Sequence, residues 1–303
     1  MRHATDSTPG AILLALALSV GPGGATVRPG GEAAGGVPEG TAVHRDLAYV
    51  TEGHPRQSLD LYVPASDAPV PLVVYIHGGA FRAGDKADRP PLEYVAEGYA
   101  LAAINYRLSQ HAVFPAQIED CKAAVRWLRA HAATYGLDPE RVAAGGASAG
   151  GHLAAMVGTT GHETAFDVGE HLDVSSRVGA VLDYFGPTDF LQMDAHRLPD
   201  GMIHDTADSP ESRLVGGPIQ EHPDRVAQAN PITYVTADAP PFLIVHGDRD
   251  PLVPHHQSEL LASALEKAGV PVTFYTVEGG GHGGFDDPKV DELTRAFLKE
   301  HLR

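Results

Sequence analysis

The chain has a single cysteine, Cys121, so no intrachain disulfide can form, and stability must come from packing. Cys121 falls within a helical pattern and reads as a small buried hydrophobe. Cations are scarce as well: 22 Lys and Arg stand against 39 Asp and Glu, a formal net charge of −17. No basic stripe can be assembled on such a surface, which argues against nucleic acid or an anionic membrane as a partner. Nor is there an apolar run near the ~20 residues that a spanning helix takes. The 17 histidines are not accompanied by an H-E-x-x-H or a Cys/His cluster, so neither a metal nor an organic cofactor is expected. His255 and His256 read as surface residues.

What remains is the composition of a globular α/β protein: 303 residues, 43% hydrophobic, with 34 Gly and 24 Pro. Residues 1–25 read as a signal peptide. Arg2 and His3 precede the apolar run Ala11–Val20, and Gly21–Ala25 offers small residues for cleavage. Residues 26–42 are rich in Gly, Ala and Pro and read as a linker with too little to bury. A single catalytic domain is expected over 43–303, in a secreted or periplasmic protein.

Within that domain strands and helices alternate. Leu47–Val50 and Leu59–Val63 alternate like two antiparallel strands around a polar turn. Leu72–Ile76 and Ala100–Ile104 are continuous apolar runs, as strands covered on both faces require. Pro90 and Pro91 open a short helix between them, and Pro115–Tyr135 has the 3.6 spacing of one long amphipathic helix. Further strands are expected at Val142–Ala144, Val178–Leu182, Phe242–Val245 and Val272–Val277, with helices near 254–268 and 287–301. This rhythm predicts a mostly parallel central sheet flanked by helices on both faces. Leu191–Ala229, rich in Asp, His, Pro and Gly, breaks the rhythm and is expected to form a cap or loop over a site.

The chemistry-bearing residues collect at strand ends. Gly146-Ala147-Ser148-Ala149-Gly150 lies between an apolar run and a helical pattern. A serine on a tight strand-to-helix turn needs small neighbours, and the helix start would aim N–H groups at a developing oxyanion. The run Leu72–Ile76 ends in His77-Gly78-Gly79-Ala80-Phe81, whose glycines let backbone N–H groups approach a ligand closely. The run Phe242–Val245 ends in a loop that contains Asp248 and Asp250, either of which could orient a histidine or merely form the turn. After the last strand, His282 stands among glycines with little packing purpose.

Taken together these segments resemble the α/β-hydrolase superfamily, in the esterase branch near hormone-sensitive-lipase and bacterial feruloyl-esterase-like proteins. Further matching segments are Asn105–Leu108, Phe114–Gln117 leading into Ala124–Leu128, Asp183–Asp189, Asn230–Tyr234 and the run His246–Pro254. The resemblance covers residues 44–301 and implies the α/β-hydrolase fold. It implies Ser148 as nucleophile, His282 as base and Asp250 as its partner, in the chain order Ser…Asp…His. Gly78, Gly79 and Ala149 would supply oxyanion donors, with Ala80 an alternative to Gly78. The loop carries Ala80 where lipases often carry a third glycine, which leaves open which two of its amides serve. Pro251 would hold Asp250 extended, while Asp248 would serve the turn. Arg107 and Asp189 read as structural hydrogen-bonding residues. The implied activity is hydrolysis of a small-molecule carboxylic ester. The rival readings are an arylformamidase or an oligopeptidase on the same fold, or a catalytically inactive binding module.

Overall fold

The buried apolar runs become the inner strands of one eight-stranded sheet. The computed structural model describes residues 36–303; the expected signal peptide and most of the expected linker lie outside the described residues. The strands are β1 (Ala42–Ala48), β2 (Ser58–Val63), β3 (Val70–Ile76), β4 (Ala100–Ile104), β5 (Leu137–Ala147), β6 (Ala180–Tyr184), β7 (Phe242–Gly247) and β8 (Val272–Val277). Their spatial order is β1-β2-β4-β3-β5-β6-β7-β8. From β4 to β8 every pairing is parallel, while β1 and β2 run antiparallel at one edge.

Alternate residues of each inner strand feed two cores, as the two-residue period of a strand requires. Leu72, Val74 and Ile76 of β3, with Phe242 and Ile244 of β7, belong to the larger core. Val73, Leu101, Leu182, Leu243 and Val245 belong to the smaller core on the other face. Helix α1 (Glu93–Ala96) and, at the chain end, Pro288–Leu302 cover the smaller core through Tyr94, Val95, Phe297 and Leu298. The larger core is covered by α2 (Ala116–Ala130), α3 (Ala132–Tyr135), α4 (Ala149–Thr159) and the helix His256–Lys267.

Three local expectations change. The first strand begins at Ala42 and stops at Ala48, leaving Tyr49 and Val50 in the turn. The long helix breaks at His131, whose backbone leaves the helical region at φ −103° and ψ 11° while its Nδ1 joins its own N–H on Trp127 O. Residues 191–229 form α5 (Met193–His196), α6 (Pro210–Val215) and α7 (Pro223–Ala229), followed along the chain by α8 (His256–Lys267) and α9 (Pro288–Leu302). Met193, Leu214, Val215, Ile219, Val226 and Ala229 are buried in the same core as the sheet. These apolar residues of the segment are therefore packed into the domain.

Candidate active site

The serine turn is built by close approach. Strand β5 ends at Ala147, Ser148 adopts φ 57° and ψ −123°, and α4 begins at Ala149. A side chain at Gly146 would strike the Gly150 backbone and Ile76 O; one at Gly150 would strike Ile76 O and His77 O. Only glycine lets α4 start this close to β3, and that proximity brings the loop after β3 beside the serine. A positive φ at a serine is strained, of order 1–3 kcal/mol, and persists only where packing over-determines it. The Ser148 N–H donates to Tyr184 O at 2.8 Å, which locks the turn to β6.

The loop after β3 is strained as well. Gly79 has φ 114°, and Ala80 and Phe81 have φ 54° and 59°. Ala80 thus adopts the left-handed backbone that a third glycine would take without strain, at about 1–2 kcal/mol. Gly79 O accepts from the N–H groups of Arg82 and Ala83 at 3.1 and 2.9 Å, and His77 O accepts from the Tyr106 hydroxyl at 3.0 Å. The amides of Gly78, Gly79, Ala80 and Ala149 donate to no acceptor among the described residues.

Asp250 and His282 are brought together. Asp250 Oδ2 lies 2.7 Å from His282 Nδ1 and 3.1 Å from His246 Nε2, while Oδ1 accepts from the N–H groups of Leu252 and Val253 at 2.8 and 2.9 Å. Burial pushes this carboxyl up, but the hydrogen bonds from His246 and His282 outweigh it and hold the group well below the usual carboxylate range. It therefore stays ionised although only 3% exposed. His246 was not a sequence-level candidate. Its Nδ1 meets Ser258 Oγ at 2.7 Å and its Nε2 faces two acceptors, Asp250 Oδ2 and Val253 O. Because both can only accept, the proton of the neutral ring sits on Nε2. The one available signal was its place four residues before the acid at the end of a buried run.

Asp248 Oδ1 accepts from Gly279 N–H at 2.6 Å, joining the loop after β7 to the loop that carries His282 rather than closing its own turn. Phe185, a second residue that sequence reasoning passed over, packs edge-on against His282 with ring centroids 4.6 Å apart. Ser148 and His282 thus flank the same pair, Tyr184 and Phe185. Ser148 Oγ makes no hydrogen bond among the described residues. Such contacts commonly tighten only in the substrate complex. A serine on a strained strand-to-helix turn and a carboxylate-held imidazole, both reaching the Tyr184–Phe185 pair, are groups suited to nucleophilic acyl transfer.

Arg107 clasps Asp120, with Nε at 2.9 Å and NH2 at 2.8 Å, and Asp189 accepts from Leu191 N–H at 3.2 Å. His255 and His256, expected at the surface, are half-buried: His255 Nε2 meets Thr276 Oγ1 at 2.9 Å, and His256 stacks on His196 at 3.5 Å. No group of three or more His, Cys, Asp or Glu among the described residues could hold a metal ion.

Beneath the serine turn lie two buried titratable groups. Burial lowers His152 to about 4 despite its bond to Pro187 O, and raises Asp183 to about 7 despite its bond from Gly186 N–H. Their linkage to stability has opposite sign. Between pH 6.5 and 4 the unfolded chain binds the His152 proton and the native protein does not, so stability is lost as pH falls, by up to about 3 kcal/mol. Between pH 7 and 4 the native protein binds the Asp183 proton and the unfolded chain does not, so stability is gained as pH falls. Urea unfolding across this window should therefore decline more steeply in Asp183→Asn than in the parent, and less steeply in His152→Asn. Parallel curves for all three proteins would show that neither group carries the pH dependence.

A mostly parallel, helix-flanked sheet with its serine turn, acid and histidine on the loops after β5, β7 and β8 defines an α/β-hydrolase. The chain belongs to the BD-FAE family, whose model matches residues 59–265. It is 34% identical over 208 residues to the probable carboxylic ester hydrolase LipM of Mycobacterium tuberculosis, an alignment that covers 68% of this chain and 47% of that protein. The chain spans about half the length of the curated relatives it matches. Among solved structures it is similar to a truncated carbohydrate esterase from gut microbiota, with TM-score 0.79 and 32% identity, covering 91% of this chain and 100% of the other. It is also similar to butyrate-bound esterase Est2 of Thermogutta terrifontis, with TM-score 0.67 and 28% identity, covering 86% of this chain and 94% of the other. Among the described residues no helix is long and apolar enough to cross a membrane.

Proposed function

We propose that this chain is a serine carboxylesterase that hydrolyses small carboxylic esters, including acetyl or feruloyl esters of carbohydrates. The observation that carries the reading is the 2.7 Å contact between an ionised, buried Asp250 and His282, taken with a serine held at positive φ. In the reaction Ser148 Oγ attacks the ester carbonyl carbon as His282 Nε2 takes its proton. The carbonyl oxygen, now negative, meets the Ala149 amide and amides of the Gly78–Ala80 loop. The bond to the alcohol breaks, and His282 returns the proton to the leaving oxygen. Water, deprotonated by the same ring, then attacks the acyl-enzyme, releasing the acid and restoring Ser148. The catalytic domain is residues 43–303.

Two features support short acyl chains. The neighbour Est2 was solved with butyrate. The apolar side chains of the 191–229 segment are largely turned into the core, leaving Ile203 as its exposed large aliphatic and offering no lipid surface. Acetyl to butyryl esters should be hydrolysed faster than palmitoyl esters, without activation at a triglyceride interface. The test is a panel of acetyl, butyryl, palmitoyl, feruloyl and formamide substrates, with a serine-reactive phosphonate read by mass. Turnover of the short esters with an adduct on Ser148 is expected. No adduct would favour a binding module, and preference for the formamide would favour an arylformamidase.

We also propose export. The Arg2–Ala25 pattern supports it, and protein recovered from its native host should begin near Thr26. Intracellular protein that still carries Met1 would overturn this.

A further inference from the structure

The loop that begins at His77 is held from a turn more than 20 positions earlier in the chain. Arg56 lies between β1 and β2, and its guanidinium reaches under the loop. Its Nε donates to Tyr106 O at 2.8 Å, and its NH2 donates to Gly84 O at 2.9 Å and Asn105 Oδ1 at 3.1 Å. The same NH2 lies 2.9 Å from His77 Nε2. A guanidinium has no acceptor, so His77 Nε2 shares the two hydrogens of this NH2 with Gly84 O and Asn105 Oδ1, and the ring proton sits on Nδ1. That Nδ1–H donates to Gly78 O at 2.6 Å. The ring is stacked on Tyr106 with centroids 4.5 Å apart, which keeps it from turning.

In a trans peptide the carbonyl and the N–H point in opposite directions. Fixing Gly78 O toward His77 therefore aims the Gly79 N–H away from it. Without a donor at Nε2 the imidazole can carry its proton there instead, and the Nδ1 lone pair would then face the Gly78 carbonyl and repel it. Burial keeps the ring neutral, its pKa lowered to about 4, so the variable that Arg56 controls is the tautomer and not the charge.

We propose that Arg56 is a positioning residue for ester hydrolysis: it sets the His77 tautomer, and through it the direction in which the Gly79 amide faces the developing oxyanion. This rests on the esterase reading above. An oxyanion donor works by being aimed before the charge develops, so its loss appears in turnover rather than in substrate binding.

The experiment compares the parent with Arg56→Gln and Arg56→Lys, using a small acetyl ester and counting active sites by phosphonate titration. Arg56→Gln should lower kcat per titrated site about 10- to 100-fold, less than the ~10²–10³ of deleting a donor outright. KM should stay within about threefold. Affinity for a boronic acid that mimics the tetrahedral intermediate should fall in proportion to kcat. Arg56→Lys keeps a donor within reach of Nε2 and should recover part of the loss, as should low guanidinium added to Arg56→Ala. A kcat per titrated site within about twofold of the parent would overturn the proposal, however far the melting temperature falls. If Arg56→Gln does not fold, Arg56→Ala without added guanidinium is judged by the same criteria. A parent that turns over no ester overturns the reading of the reaction itself, whatever the Arg56 variants do.

Discussion

Asp250→Asn is expected to lower kcat about 10⁴-fold in a protein that still folds, the size of effect that the same change has in a serine-protease triad. Asp250 Oδ2 takes hydrogen bonds from two imidazoles, His282 at 2.7 Å and His246 at 3.1 Å. An amide can keep an oxygen on the Leu252 and Val253 N–H groups, but it then turns an NH2 toward both rings. His282 would have to present its Nδ1 lone pair, moving its proton to Nε2 and leaving no base for the serine. His246 would face a second donor while only 0% exposed, so a stability loss of about 1–3 kcal/mol should accompany the loss of rate. Asp248→Asn should leave kcat nearly unchanged, because the Gly279 N–H it accepts from can be met by an amide oxygen. Steady-state kinetics and urea midpoints of the two variants check this directly. Reversed phenotypes would make Asp248 the acid and leave Ser148 and His282 in place.

Ser148→Ala and His282→Ala should each lower kcat by about 10⁶-fold, and the double variant should be no worse than either alone. The serine has no nucleophile to offer without its base, and the base has nothing to deprotonate without the serine. Residual turnover should stay about 10³- to 10⁴-fold above the uncatalysed rate, because the amides of the Gly78–Ala80 loop and Ala149 remain aimed. Multiplicative losses in the double variant would mean that the two side chains act separately, and the acyl-enzyme route would fall.

Much of this molecule was legible in the sequence, for a physical reason. Strands buried on both faces are continuous apolar runs, so Leu72–Ile76, Ala100–Ile104 and Phe242–Val245 announced themselves, and in a parallel sheet the loops after such runs come out on one side. His77 and Asp250 follow two of these strands, while Ser148 and His282 follow β5 and β8. What stayed hidden depends on partners far along the chain. Arg56 sits in a polar turn that resembles any other, and nothing local marks it as the partner of His77. His246 looked like the last residue of a strand, and its hydrogen bond to Asp250 exists only because the loop folds back. The segment 191–229 reads as a cap or loop because it is rich in Asp, His, Pro and Gly and breaks the strand–helix rhythm. Its apolar residues, such as Leu214 and Val226, are spaced too irregularly to announce the shared core they enter. The break at His131 was invisible to periodicity, since Ala132 continues the apolar spacing after it.

The sheet does not support its functional loops equally. Ser148 follows β5, which is paired on both sides, whereas His282 follows β8, which is paired only with β7 and is partly exposed along most of its length. Opening of a protein is rarely uniform, and edge elements with few buried contacts exchange their amide hydrogens first. The histidine therefore rides on an edge of the sheet, through β8 and the helix α9 behind it. Under mild denaturant the protein can hold its central strands and its serine turn and yet lose the position of His282, so loss of activity is expected to run ahead of global unfolding.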